Sequence, residues 1–329
     1  MRGFGVSYWV ILLQMYRSVQ FKPPYILITG PTGSGKTVVS IELCRRLESA
    51  EIISVDSRQF YRGMDIGTAK PTSHQQAQVR HHFLDIADPR EVLSAGEFAR
   101  RARTLIEEMH FRGIMPVLVG GSGMFWKAII DGFYEDQTSY DAIRVELQQR
   151  LKSEGIESLY NDLKTLDPVA HHRLDGGDTQ RILRALEVRI AGGQAIHEKW
   201  GAIDGESGLE KPLMIWVDRE REALYGAIDQ RVDTMVNEGL FQEVASLMEL
   251  GLGEKTFVMD SMGYIEPMRH LRGEMSRESA VEAIKRNTRR FAKRQQTWFR
   301  RDRRLRRLDL GCWGIDGVCQ RILCQLQQV

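Results

Sequence analysis

The stretch that most constrains this chain is Gly30-Pro31-Thr32-Gly33-Ser34-Gly35-Lys36-Thr37. The apolar run Tyr25-Ile26-Leu27-Ile28 precedes it, and a helical pattern from Val38 to Leu47 follows. This is the G-x-x-x-x-G-K-T signature in strand–loop–helix order. Its glycines let the backbone wrap until several N–H groups aim at one anion. Lys36 adds a point charge, and the helix N-terminus adds its partial positive charge. Thr37 can place its hydroxyl on a magnesium ion. The loop therefore predicts a polyphosphate ligand, and read alone it points to ATP.

The rest of the chain supplies a sheet for that loop. Glu51–Val55 reads as a second strand, ending in Asp56-Ser57-Arg58-Gln59. A carboxylate at a strand tip beside a phosphate loop lies where open α/β sheets bind ligands. Residues 60–71 carry turn residues and no period, so they predict a loop. His81–Ile86 is a short strand candidate whose adjacent histidines would face opposite ways, which argues against a metal pair. Ser94–His110 predicts a helix with Ser94 as N-cap and Glu97 three residues on. Ile114–Val119 predicts a buried strand closed by Gly120-Gly121-Ser122-Gly123. That second Gly-rich loop fits either close approach to a ligand or a tight turn into the helix Met124–Ile130. Strands and helices alternate, which implies a parallel sheet with helices on both faces.

From about Asp131 to Pro212 the apolar strand runs vanish and polar helical periodicity takes over. Ala142–Leu151, Ile156–Leu163, a helix opened by Asp167-Pro168, and Gln180–Ala191 read as a helical insertion domain. Leu213–Val217 then resumes the sheet, followed by helices Arg221–Asn237, Leu240–Leu250 and Arg277–Arg300. The expected domains are an extension (residues 1–24), a core (25–131 and 212–310), an insertion (132–211) and a tail (311–329).

Composition excludes little: hydrophobic residues are 42%, charged residues 27%, and the net charge of +2 makes no case for nucleic acid by itself. Distribution does make one. The last long helix carries Lys285, Arg286, Arg289, Arg290, Lys293, Arg294 and Arg300, and the run continues through Arg301-Asp302-Arg303-Arg304-Leu305-Arg306-Arg307. Clustered arginine interleaved with Phe291, Trp298 and Phe299 favours contact with a nucleic-acid backbone over a merely solvated basic face, while the Ala280, Ile284, Phe291 and Trp298 side is expected to pack on the core. The four cysteines form no CxxC pair, so zinc is not expected, and reduced thiols fit a cytoplasmic protein. The apolar run Phe4–Leu13 is too short to span a bilayer. Met15 as the true start, with a poorly ordered extension before the core, is favoured over a membrane-interacting segment.

No aspartate closes Ile114–Val119, where many phosphate-loop proteins hold one. Asp56 could hold magnesium through water, or act as general base on an acceptor lined up with the phosphates. A small-molecule kinase would use the same parts.

Four motifs narrow this: the Gly30–Thr37 loop, Asp56-Ser57-Arg58-Gln59, Gly63-Met64-Asp65-Ile66-Gly67-Thr68-Ala69-Lys70-Pro71 and Gly120-Gly121-Ser122-Gly123. Arg181–Val188 and Ala292–Arg300 follow in the same order. Together they resemble the tRNA dimethylallyltransferase family over roughly residues 24–310. The resemblance implies transfer of a dimethylallyl group from dimethylallyl diphosphate to N6 of adenosine 37, beside the anticodon, in tRNAs reading codons that start with U. It implies that Gly30, Pro31, Thr32, Gly33, Ser34, Gly35, Lys36 and Thr37 hold the diphosphate with Mg2+ on Thr37, and that Asp56, Lys36 and Thr37 are catalytic. It implies tRNA contacts from Asp56, Ser57, Arg58, Gln59, Ser122, Arg144, Gln180, Arg181, Ile182, Leu183 and Arg184. Further contacts fall on Asn287, Thr288, Arg289, Arg290, Phe291, Ala292, Lys293 and Arg294, and on the segment Asp260–Ile265. Phe125 stands where the family usually has tyrosine. The expected partners are dimethylallyl diphosphate and a tRNA anticodon stem-loop, with no membrane, and the protein is expected to act as a monomer. The rival readings are the kinase, a prenyltransferase for free adenine nucleotides, and an RNA-binding protein with a degenerate site.

Overall fold

The computed structural model describes residues 24–132, 140–192, 210–253 and 256–327. The apolar run near the N-terminus and most of the polar loop at 199–212 lie outside the described residues. Two compact units emerge, one built from the chain up to Ile130 and from Leu209 onward, the other from Asp131–Gly208.

The first unit is organised on a six-stranded parallel sheet whose strands lie side by side in the order His81–His82, Ala50–Ser54, Met115–Val119, Ile26–Thr29, Leu213–Asp218, Arg306–Asp309. In chain order it contains β1 (Ile26–Thr29), α1 (Lys36–Arg46), β2 (Ala50–Ser54), α2 (Ser73–Gln78), β3 (His81–His82), α3 (Ala95–Phe111), β4 (Met115–Val119) and α4 (Gly123–Asp131). The second unit supplies α5 (Asp141–Leu166), α6 (Pro168–Arg173) and α7 (Thr179–Ile190). The first unit resumes with β5 (Leu213–Asp218), α8 (Arg221–Asn237), α9 (Leu240–Glu249), α10 (Ile265–Leu271), α11 (Arg277–Phe299), β6 (Arg306–Asp309) and α12 (Leu310–Leu326).

Alternation along the strands builds two cores. Leu27, Ile53, Leu118, Met214 and Trp216 face one side with α3, α4, α8, α9 and α11. Ile26, Ile28, Ile52, Val117, Ile215 and Val217 face the other with α1 and α12. Successive side chains of a strand point to opposite faces, so each central strand must be apolar throughout. Among the described residues no helix is long and apolar enough to cross a membrane.

Three expectations are corrected here. The strand predicted over His81–Ile86 ends at His82, because Phe83 and Asp85 take left-handed φ angles of 64° and 56°. Phe83 packs edge-on against Phe98, and Asp85 pairs with Lys70. The arginines at 301–307 stay exposed, but the run is not an irregular continuation of α11: Arg306–Asp309 is an edge strand paired in parallel with β5. Residues 311–329 are not a tail either. Their described part continues α12, which buries Val318, Cys319 and Ile322 against α1.

The second unit has its own small core of Leu147, Leu159, Leu163, Ala170, Leu174, Ile182, Ala185 and Leu186. α5 breaks at Gly155, whose φ of 79° interrupts the helix between the two segments that the sequence predicts. Asp167 caps α6 by accepting from Ala170 N at 2.9 Å, with Pro168 in the first turn where its missing N–H costs nothing.

Candidate active site

The phosphate loop leaves β1 and meets the C-terminal ends of β2 and β4. Gly120 N donates to Ile28 O (3.2 Å), and Thr29 Oγ1 donates to Gly120 O (2.8 Å). A side chain at Gly120 would put its Cβ 1.8 Å from Val55 O, so only glycine lets these strand ends converge. The loop's far side is equally tight. Gly35 has φ 94°, and a Cβ there would lie 2.5 Å from Leu310 Cδ2 at the start of α12.

These ends enclose a cavity of about 160 Å³. Thr32, Lys36 and Thr37 line it from the loop, Asp56, Arg58 and Gln59 from the end of β2, and Gly120 and Gly121 from the end of β4. Thr288, Phe291 and Gln295 reach it from α11, and Arg231 from α8. Sequence reasoning missed Arg231. It follows Leu224 and Ile228 at helical spacing and precedes Val232 and Met235, so it occupies the inward phase of an otherwise apolar face. A cation at that phase was the available signal.

The charges in the cavity are unusual. Lys36 and Arg231 keep some surface open to it, but the surrounding protein desolvates both. Desolvation, then the nearby Arg231 charge, pulls the Lys36 ammonium down to about 7, while Asp56 opposes the shift. Arg231 is lowered by desolvation, with Asp56 again opposing. Two cations held this way favour a compact anion between them. Lys36 Nζ donates to Pro31 O (2.9 Å), Arg231 Nη1 to Thr32 Oγ1 (3.3 Å) and Arg219 Nε to Ser34 O (3.3 Å). Among the described residues Ser34 Oγ is buried with no hydrogen-bond partner. Asp56 Oδ1 accepts from Arg58 N at 2.9 Å, which fixes the carboxylate at the strand tip.

A family model described as IPP transferase matches residues 59–302. This chain belongs to that family. The tRNA dimethylallyltransferase of Syntrophobacter fumaroxidans is 42% identical over 286 residues, 87% of this chain and 83% of the relative. That of Desulforudis audaxviator is 39% identical over 307 residues, 93% of this chain and 98% of the relative. Among solved structures, the full-length tRNA isopentenylpyrophosphate transferase of Bacillus halodurans matches with a TM-score of 0.67 at 37% identity, covering 92% of this chain and 97% of that one. A eukaryotic dimethylallyltransferase acting on tRNA matches with a TM-score of 0.76 at 26% identity, covering 91% and 77%.

Several predicted contact residues have other duties. Gln59 uses both ends of its amide internally: Oε1 accepts from Ser54 Oγ (3.0 Å), and Nε2 donates to Thr68 O and Ala69 O (3.3 and 3.1 Å). Ser122 Oγ accepts from Ser57 N at 3.0 Å. Asn287 Nδ2 donates to Glu266 Oε1 at 2.8 Å, and Arg289 pairs with Asp229. Ile182 and Ala292 are fully buried, so as side chains they offer RNA no surface; their helical phase puts them in the cores of their units. On α11, Arg290, Lys293 and Arg294 are exposed. In the second unit Arg144 grips Glu187 with two bonds (2.9 and 3.2 Å), Arg184 adds a third (3.2 Å) and lies over Tyr140, and Gln180 and Arg181 are exposed.

The cavity wall at Gly67 is held by Glu243. One oxygen accepts from Asp65 N and Ile66 N (2.9 and 2.7 Å), the other from Gly67 N and Tyr264 Oη (3.0 and 2.7 Å). Burial and the Glu243 charge push the Tyr264 phenol well above its ordinary value, so it remains a donor. Arg58, desolvated and thereby lowered, lies under the half-exposed ring of Phe257.

The donor set fits magnesium held mainly through a ligand's phosphates. Among the described residues no group of three His, Cys, Asp or Glu could hold a metal alone. What the cavity offers is the Thr37 hydroxyl with Asp56 nearby. Magnesium commonly takes few protein ligands, several waters and substrate phosphate oxygens.

Proposed function

We propose that this protein transfers a dimethylallyl group from dimethylallyl diphosphate to N6 of adenosine 37 in tRNAs reading codons that start with U. The observation that carries the reading is one cavity holding two desolvated cations, Lys36 and Arg231, together with the Asp56 carboxylate. The loop from Gly30 to Thr37 binds the diphosphate. Magnesium, when bound through Thr37, supplies charge neutralisation on it. Adenine N6 attacks the C1 carbon of the prenyl group, the C–O bond breaks, and diphosphate leaves. Lys36 and Arg231 stabilise the charge that builds on the leaving oxygens. The N6 proton passes to Asp56 and then to water, leaving a secondary amine. An exocyclic amine is a weak nucleophile, so its positioning at the strand tip matters as much as proton removal.

To enter, the adenine leaves the anticodon-loop stack. Asp56, Ser57 and Arg58 meet it, while Gln59 acts by shaping the wall at Thr68 and Ala69. The exposed Arg290, Lys293 and Arg294 attract the RNA backbone, and Arg144, Arg181 and Arg184 of the insertion (residues 132–211) add phosphate contacts. The reaction takes place in the cytoplasm and needs one chain.

Labelled dimethylallyl diphosphate with magnesium and unmodified tRNA, AMP, ATP or no acceptor tests this. Label in tRNA alone supports it. Label in AMP would favour the free-nucleotide prenyltransferase, and ATP consumption without label transfer would favour a kinase.

A further inference from the structure

Gln295 lies on α11 directly beside Lys293 and Arg294, within the basic run, yet it faces the other way. It is 8% exposed. Its Oε1 accepts from Thr32 N in the phosphate loop at 2.9 Å, and its Nε2 donates to Gly121 O in the loop after β4 at 2.8 Å. A Cβ on Gly121 would come within 2.4 Å of that Nε2, so glycine at 121 makes room for the amide. Thr32 is thereby held from two sides, at its N–H by Gln295 and at its hydroxyl by Arg231.

We infer that Gln295 is a positioning residue for the diphosphate site. It sets the phosphate loop at Thr32, and through Thr32 the Arg231 guanidinium, although its helix carries the RNA-facing arginines. The physical reason is that one amide satisfies a backbone donor and a backbone acceptor on two loops that otherwise do not bond each other through these groups. Removing it leaves both partners unpaired in a largely enclosed site. The inference rests on reading the cavity as the diphosphate site.

The test separates donor from RNA. Gln295→Met keeps much of the volume and loses both hydrogen bonds. Gln295→Glu keeps the acceptor toward Thr32 N but turns a carboxylate oxygen toward Gly121 O and adds negative charge beside the diphosphate. Inorganic diphosphate with magnesium is titrated calorimetrically, KM for dimethylallyl diphosphate is measured, and an unmodified anticodon stem-loop is bound by filter assay. The expected result is a roughly tenfold loss of diphosphate affinity and a matching rise in donor KM for Gln295→Met, a larger loss for Gln295→Glu, and RNA affinity within about twofold of the parent. Unchanged diphosphate affinity in both variants overturns the inference. So does a parallel loss of donor and RNA binding, which would mean that Gln295 only packs the helix. A parent protein that binds no diphosphate overturns the functional reading, and the inference with it.

Discussion

The cations of the cavity and the cations of α11 carry the same charge in opposite surroundings. Lys36 and Arg231 are desolvated by the protein around them, while Arg290, Lys293 and Arg294 stand in water. Desolvated cations act at short range on a compact anion and are poorly screened. Exposed ones act at longer range on an extended anion and are screened by salt. On the proposed reading, gripping the diphosphate and attracting the RNA fall to different elements, α1 and α8 for the first and α11 for the second.

The sharpest way to break this comparison is to remove a cavity charge. Asp56→Ala is expected to lower single-turnover transfer about 1,000-fold while leaving tRNA binding measurable; near-parent rates would remove Asp56 from its role. Arg231→Ala is expected to cost about 100-fold in transfer rate, with little change between low and moderate salt. A steep salt dependence of that loss would put Arg231 in the same class as the surface arginines.

Proton linkage sharpens it further. The free Lys36 ammonium titrates at about 7, and a bound diphosphate favours its charged form. Below that pH the cation is already present. Above it, binding must draw a proton from solution, so affinity for diphosphate is expected to fall by up to about tenfold per pH unit. Calorimetry in buffers of different ionisation heat measures the proton uptake, and no uptake at pH 8 would contradict the assignment. The surface side is milder. Arg290→Ala with Lys293→Ala is expected to weaken stem-loop binding several-fold and to reduce the slope of log K against log salt by between about 1 and 2. Arg289→Ala should have the smallest effect, within about twofold, because Asp229 already holds that side chain.

The sequence made the sheet and its loop readable because both depend on local signals: apolar runs for strands, glycine spacing for the loop and polar caps for the helices. What it left out depends on packing between distant segments. Arg231 falls on the inward phase of its helix, but only the docked helix shows what that phase faces. Ile182 and Ala292 sit inside motifs that read as RNA-binding, but their helical phase turns them inward. The strand Arg306–Asp309 was hidden because three of its four residues are charged and only Leu308 is buried. Gln59 and Ser122 carry groups suited to reading a base, yet protein partners already occupy them.

The likeness to the family model stops at Asp302, but the mechanical support of the site does not. Leu310 presses on Gly35 from behind, and α12 lies along α1, the helix that opens with Lys36 and Thr37. A chain ended at 302 would keep every residue that lines the cavity and lose the backstop of its loop. The final helix is therefore a poor place for a cut. It is a good place for a handle, since a dye on exposed Cys324 would ride the element braced against the Gly30–Thr37 loop.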